Sequence, residues 1–221
     1  MKPDTRKQIL SSAAAVFVRA GYGGTSMQDI AAAAGISRAS LYNHFKSKDA
    51  IVTSLVEDVT VRSRDLTGEI AAAGQRTPTV ALRAMIRAYA LSLLTRPEEF
   101  LFLMQTEAIL PKRLAQIQEA AKRHLYKTFV TVIKAGVESG EFRATDAAIA
   151  ALCIFGMCAW TVQWFRPDAR LSRDAAADFI AEFALLALRP AAAGVPPADA
   201  PGVLARLRED LAQLEKLIAR G

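Results

Sequence analysis

Apolar residues in the first fifty positions recur at spacings of three and four, and glycines interrupt them twice. Ile9, Leu10, Ala13, Ala14 and Phe17 share one helical face, and the run stops at Gly21, a residue suited to the left-handed conformation that ends helices. The spacing predicts a first helix over about 4–20. Ser26 with Asp29 three residues on makes a capping-box-like start for a short second helix to Ala34, closed by Gly35. Ser37 is placed to cap a third helix running to Phe45. Ser47 is placed to cap a fourth from Lys48, which Ile51, Leu55, Val59 and Leu66 carry towards Ala73.

Further on, Thr77-Pro78, Arg96-Pro97 and Leu110-Pro111 each put proline at a first helical position, predicting helices over about 78–95, 97–108 and 111–139. The last of these ends at Ser139-Gly140. Thr145 and Ser172 are the expected caps of two more, about 145–166 and 173–188. Pro196, Pro197 and Pro201 mark a linker between Pro190 and Gly202. After it, Leu204, Leu207, Leu211, Leu214 and Ile218 trace the seam of about two heptads over 203–219, a helix too short to be stable alone. It reads as an amphipathic helix docking on its own body, with an added dimer contact as the other reading. The fold class is all-α: an N-terminal three-helix unit over 1–50, a long helix leading from it into a helical body over 51–190, and a proline-rich linker plus helix over 191–221.

Composition narrows the chemistry. In 221 residues the hydrophobic share is 52%, enough for a sizeable core, while two Cys and two His bound the chemistry tightly, because a structural zinc site needs about four such ligands and Cys153 and Cys158 lie five apart on one helical stretch. No metal or cofactor is expected, and Cys153 and Cys158 read as free thiols of a reducing compartment. No apolar run follows the basic start as a signal peptide would require. The most apolar stretch, Ala147 to Trp160, holds 14 residues, short of the roughly 18 to 20 that span a bilayer. The protein is therefore expected in the cytoplasm, with no membrane partner. Its net charge of +6 is uneven: residues 1–50 carry +4 and the other 171 only +2, as expected of a small polyanion-binding head on a nearly neutral body.

Residues 27–45 fit a helix-turn-helix, because small Ala31 permits close crossing, Gly35 makes the turn, and Ile36 and Leu41 plug the core. At about 100° per residue Leu41 and Phe45 share the inward face of the third helix, and Ala39, Ser40 and Asn43 face away. Asn43 is able to pair bidentately with adenine, and Arg38 to take guanine or a phosphate. Tyr42 on the flank and Lys48 at the first turn of the next helix suit phosphates, while His44 is a phosphate donor or a core-edge histidine. An enzyme is not expected. No nucleophile–base pairing is present, and Gly21-Tyr22-Gly23-Gly24 follows a helix rather than the strand a phosphate-cradling loop needs.

The run from Gly21 through Leu41-Tyr42-x-x-Phe45 to Lys46-Ser47-Lys48-Asp49 resembles the DNA-binding domain of TetR/AcrR-family transcriptional regulators over roughly residues 5–52. The resemblance implies an all-α homodimer, a ligand pocket in the body, and repression relieved by a small molecule. It also implies phosphate contacts at Thr25, Tyr42 and Lys48, and base contacts at Arg38 to Ser40 and Asn43.

In the body, Leu103-Met104-Gln105 with Leu110-Pro111, then Gly136-Val137-x-x-Gly140-Glu141-Phe142, then Trp160 through Pro167, resemble a subgroup that includes regulators of fatty-acid and steroid-ring degradation responding to CoA thioesters. An apolar tunnel lined by Met104, Phe155, Met157 and Trp160 would suit an acyl chain, with Gln105, Glu107, Tyr126 and Gln163 as polar groups to orient it and Arg or Lys at the mouth. Helices 145–166 and 173–188 are apolar nearly all round and need a second chain to cover them. A symmetric dimer implies a palindromic operator. The expected function is thus a DNA-binding repressor released by an acyl-CoA-type effector. The alternatives are a repressor of an efflux pump that responds to hydrophobic drugs or dyes and, more remotely, a ligand-independent architectural DNA binder.

Overall fold

A computed structural model of the chain describes residues 5–72, 77–106, 110–166 and 171–190, with side chains of the fourth helix described as far as Val59 and at Arg62. The described residues form the helices α1 (Thr5–Ala20), α2 (Met27–Ala33), α3 (Arg38–His44), α4 (Lys48–Ala72), α5 (Pro78–Thr95), α6 (Pro97–Thr106), α7 (Lys112–Glu138), α8 (Ala147–Trp164) and α9 (Arg173–Leu188), with no strand among them. The expected linker over 190–202 and helix over 203–219 lie outside the described residues apart from Pro190.

Local chemistry sets the boundaries. Gly21 and Gly35 hold φ at 73° and 65°, where a Cβ is costly, and they close α1 and the α2 turn. Ser26 and Asp29 complete a reciprocal capping box at α2, and this hydrogen bonding holds the Asp29 carboxyl below its ordinary range. Ser37, Thr77 and Ser172 cap α3, α5 and α9. Two expectations are corrected. Asp146, not Thr145, caps α8, because its carboxylate accepts from the amides of both Ala148 and Ile149. Pro111 stands one position before α7, whose first residue is Lys112.

The head core gathers Ile9, Phe17, Ile30, Leu41 and Phe45 around Ile51 and Leu55 of α4, and it continues into the body through Phe102, Leu103 and Leu114. Phe17 stacks on Phe102 with ring centroids 5.0 Å apart, so α6 is part of the support for α1. The body core packs α5 against α7, α8 and α9 around Met85, Ile86, Phe129, Ile133 and Ile154, all nearly excluded from solvent. Truncating a fully buried ring such as Phe129 to alanine costs about 3–5 kcal/mol. Arg87 on α5 joins Asp174 and Asp178 of α9 at 2.5 and 2.6 Å.

α8 buries Ala151, Ile154, Cys158 and Val162 on one side. On the other, Ile149, Leu152, Trp160 and Trp164 stay more than half exposed, as do Phe179, Phe183 and Leu186 of α9. With 18 residues it is also long and apolar enough to cross a bilayer by length and composition, which the 14-residue apolar count did not reach. The helix carries the apolar run past Thr161 and Gln163, because neither residue breaks a helix.

Candidate nucleic-acid interface and effector cavity

α3 sits on the head with Leu41 and Phe45 buried beneath it. Arg38, Ala39, Asn43 and His44 are exposed, and Ser40 and Tyr42 are half-buried. One short helix therefore presents five of these six polar or small side chains in a width that a major groove of about 12 Å admits, with Tyr42 on its flank. The Arg38 guanidinium lies 5.5 Å from the centre of the Tyr42 ring, which fixes the two as a pair. Lys46 donates to the Tyr42 carbonyl at 2.9 Å and adds positive charge at the end of α3.

Two residues expected at phosphates have internal roles. Thr25 is only 3% exposed, and its hydroxyl donates to the Gly21 carbonyl at 2.8 Å, closing the α1–α2 turn. The turn buries the hydroxyl and gives it an internal partner. The Lys48 ammonium donates to the carbonyls of Tyr22 and Thr25 at 2.8 and 2.6 Å and lies 4.6 Å from the Tyr22 ring centre. An ammonium has three donors, so one remains. Tyr22 in turn donates to Asp49. Desolvation first, and then that carboxylate, push its phenol up to about 12.

A cavity of about 130 Å³ opens between α4, α5, α6 and α7. Val59, Leu93, Phe100, Leu103, Met104 and Leu125 supply its apolar wall. Its polar groups are unusual for an apolar site. Glu99, 3% exposed, accepts from Arg96 at 3.1 Å and from Arg62 of α4, so a buried carboxylate is held by two guanidinium groups. Gln118 of α7 is 7% exposed, and its Oε1 has no hydrogen-bond partner among the described residues. Lys122, exposed on α7, lines the same space. Tyr89 closes the wall from α5, and burial raises its phenol well above the ordinary value.

Of the sequence-derived effector candidates, the structure brings Met104 to this wall. Gln105, the next residue, is exposed and does not line it. Tyr126 and Phe155 lie behind the cavity in a ring cluster with Tyr89 and Phe129, where the Phe155 centroid is 5.3 Å from that of Tyr89 and 4.9 Å from that of Phe129. Met157 packs half-buried on the body core. Trp160 and Gln163 lie on the exposed side of α8, which does not reach the cavity. A helix apolar all round carries no sequence record of which side meets a void. Glu107 lies outside the described residues. Gln118 was the missed signal, a polar residue on the apolar α7 stripe of Leu114, Leu125 and Phe129.

Comparison with known proteins fits this geometry. Residues 9–55 match the family model described as bacterial regulatory proteins, tetR family, and residues 75–188 match that of the tetracyclin repressor-like C-terminal domain. The chain is 28% identical over 183 residues to the HTH-type transcriptional repressor KstR2 of Rhodococcus jostii (strain RHA1), covering 80% of this chain and 87% of the relative. Among solved structures, the TetR family transcriptional regulator PfmR from Thermus thermophilus superposes with a TM-score of 0.70 at 28% identity, covering 82% of this chain and 99% of that one. AibR in complex with isovaleryl coenzyme A and operator DNA gives a TM-score of 0.66 at 27% identity, covering 81% and 97%.

Proposed function

The chain belongs to the TetR family of bacterial regulatory proteins, and from that membership we propose that it is a dimeric cytoplasmic repressor released from a palindromic operator by the CoA thioester of a short acyl group. Membership places it among transcriptional regulators rather than enzymes. In this reading Ser40 and Asn43 approach base edges with Arg38 and Ala39 beside them, while Tyr42, His44 and the remaining Lys48 donor take phosphates. The exposed apolar sides of α8 and α9 meet their copies in a second chain, setting the two α3 helices roughly 34–36 Å apart on successive major grooves.

The observation that carries ligand release is the place of the cavity. Its walls include α4 and α6, and both helices also enter the head core, α4 through Ile51 and Leu55 and α6 through Phe102. A molecule that reshapes this space shifts the supports of the recognition unit, and ligand and DNA then disfavour each other. A hundredfold change in occupancy needs only about 2.7 kcal/mol of differential binding.

The cavity is close to the roughly 150 Å³ that holds a benzene-sized guest, which suits an acyl group of about six heavy atoms with the CoA arm outside. Arg62, Arg96 and Lys122 bring positive charge where the CoA phosphates would pass, and the same charge disfavours cationic drugs and dyes. AibR, whose structure holds isovaleryl coenzyme A, supports this size class.

Fluorescence anisotropy of the protein on DNA from its own upstream region, at fixed salt, tests the proposal. Competitor-resistant binding released by a short acyl-CoA is the expected result. Binding that no thioester disturbs removes the effector class, and the absence of specific binding removes the operator.

A further inference from the structure

We propose that Gln118 makes the cavity select an acyl group that carries its own hydrogen-bond donor, a hydroxyl in the simplest case, over the plain hydrocarbon of the same length. The inference rests on the cavity being the effector site. Its ground is separate: a buried amide oxygen on a residue of the cavity wall, without a partner among the described residues.

A carbonyl-type oxygen only accepts, so what completes Gln118 is an O–H or N–H. Two neighbouring polar groups are engaged elsewhere. The two Glu99 oxygens are taken by Arg62 and Arg96, and the Ser92 hydroxyl donates to the Tyr89 carbonyl at 2.7 Å. A hydrocarbon filling the space excludes water and leaves Oε1 unpaired, whereas a hydroxylated chain pairs it in a low-dielectric surround where the bond is strong. Sites with a buried polar group discriminate against analogues that cannot pair it far more strongly than apolar pockets discriminate by size. Gln118 stands on α7, one wall away from the Arg62–Glu99 link between α4 and α6, so recognition by Gln118 occurs beside the elements that support the head.

Calorimetric titration of the full chain with butyryl-CoA, 3-hydroxybutyryl-CoA (both enantiomers) and acetoacetyl-CoA tests this. The wild type is expected to bind one hydroxy enantiomer at least tenfold more tightly than butyryl-CoA, and Gln118→Leu to lose that preference. Gln118→Met, closer in length, serves if the leucine variant melts lower than wild type. Equal affinities in the wild type, a preference that survives in both variants, or a preference for the acceptor-only acetoacetyl group overturns the inference while leaving the thioester reading intact. If no thioester binds, that reading fails, and the same comparison with 3-hydroxybutyrate and butyrate decides this one: a hydroxyl preference lost in the variants upholds it, and its absence overturns it.

Discussion

The ammonium of Lys48 donates to the Thr25 carbonyl at 2.6 Å, tying the first residue of α4 to the turn that leads into α2 across 23 positions of chain. A residue that sequence alone assigns to the DNA backbone is thereby also a brace inside the head. Hydrogen bonds to charged groups contribute about 1.5–3 kcal/mol. Lys48→Met is expected to lower stability by about that amount, read as a shift of the urea midpoint at unchanged slope. An unchanged midpoint would reduce Lys48 to a surface cation.

Asn43→Ala is expected to flatten the operator's preference at one position per half-site, removing about 1–3 kcal/mol of discrimination there. Tyr42→Phe should weaken every sequence alike. Anisotropy titrations against a set of single-base operator variants separate the two, since loss confined to one base and uniform loss are different patterns.

A Cβ on Gly136 would overlap the ring of Phe142, itself buried at 4% exposure. The ring has no room to retreat, so Gly136→Ala is expected to destabilise the body by about 1–3 kcal/mol through overpacking. Gly156 on α8 has nothing of its own chain within 4 Å of where a methyl group would stand, so alanine there should cost the packing of the single chain no such loss. Thermal unfolding of the pair provides the control.

Phe179 and Phe183 stack at 6.2 Å on the outer side of α9, 69% and 55% exposed. Phe183→Asp is expected to give a monomer by light scattering, with helicity retained and operator affinity reduced at least a hundredfold because the two heads no longer bind as one. A dimer that persists would move the interface elsewhere.

Burial pushes the Cys158 thiol from 9.0 up to about 12. The folded value lies above the unfolded one, so this contribution to stability is complete below pH 9 and is lost as the pH rises from 9 towards 12. The expected slope over that range is at most about 1.4 kcal/mol per pH unit, and it should vanish in Cys158→Ala. Equal slopes in the two proteins would mean that the thiol ionises freely in the fold.

Helix ends were legible because capping is local: Ser26, Ser37, Ser172 and the prolines act within one turn of where they stand. The outward residues of α3 were legible for the same reason, since Leu41 and Phe45 identify its inner face. The cavity was not, because it depends on how four helices meet, and neither Glu99 nor Arg62 shows in sequence that the other is its partner. That Phe155, Met157 and Trp160 lie off this cavity was illegible for a related reason. Aromatic residues and methionine are equally at home in a core, on an outer apolar face, or beside a void, and α8 supplies the first two.

The stack of Phe17 on Phe102 bears on modularity. A recognition head of this kind invites transplantation, with one regulator's operator specificity joined to another's effector response by a cut in α4. Here such a graft would carry Phe17 away from the ring that shields it, and the new body would have to offer an aromatic residue at the equivalent point of α6. Exchange of heads is therefore constrained by a residue outside the segment exchanged, and the smallest unit that can be swapped intact includes α6 as well as the three helices of the head.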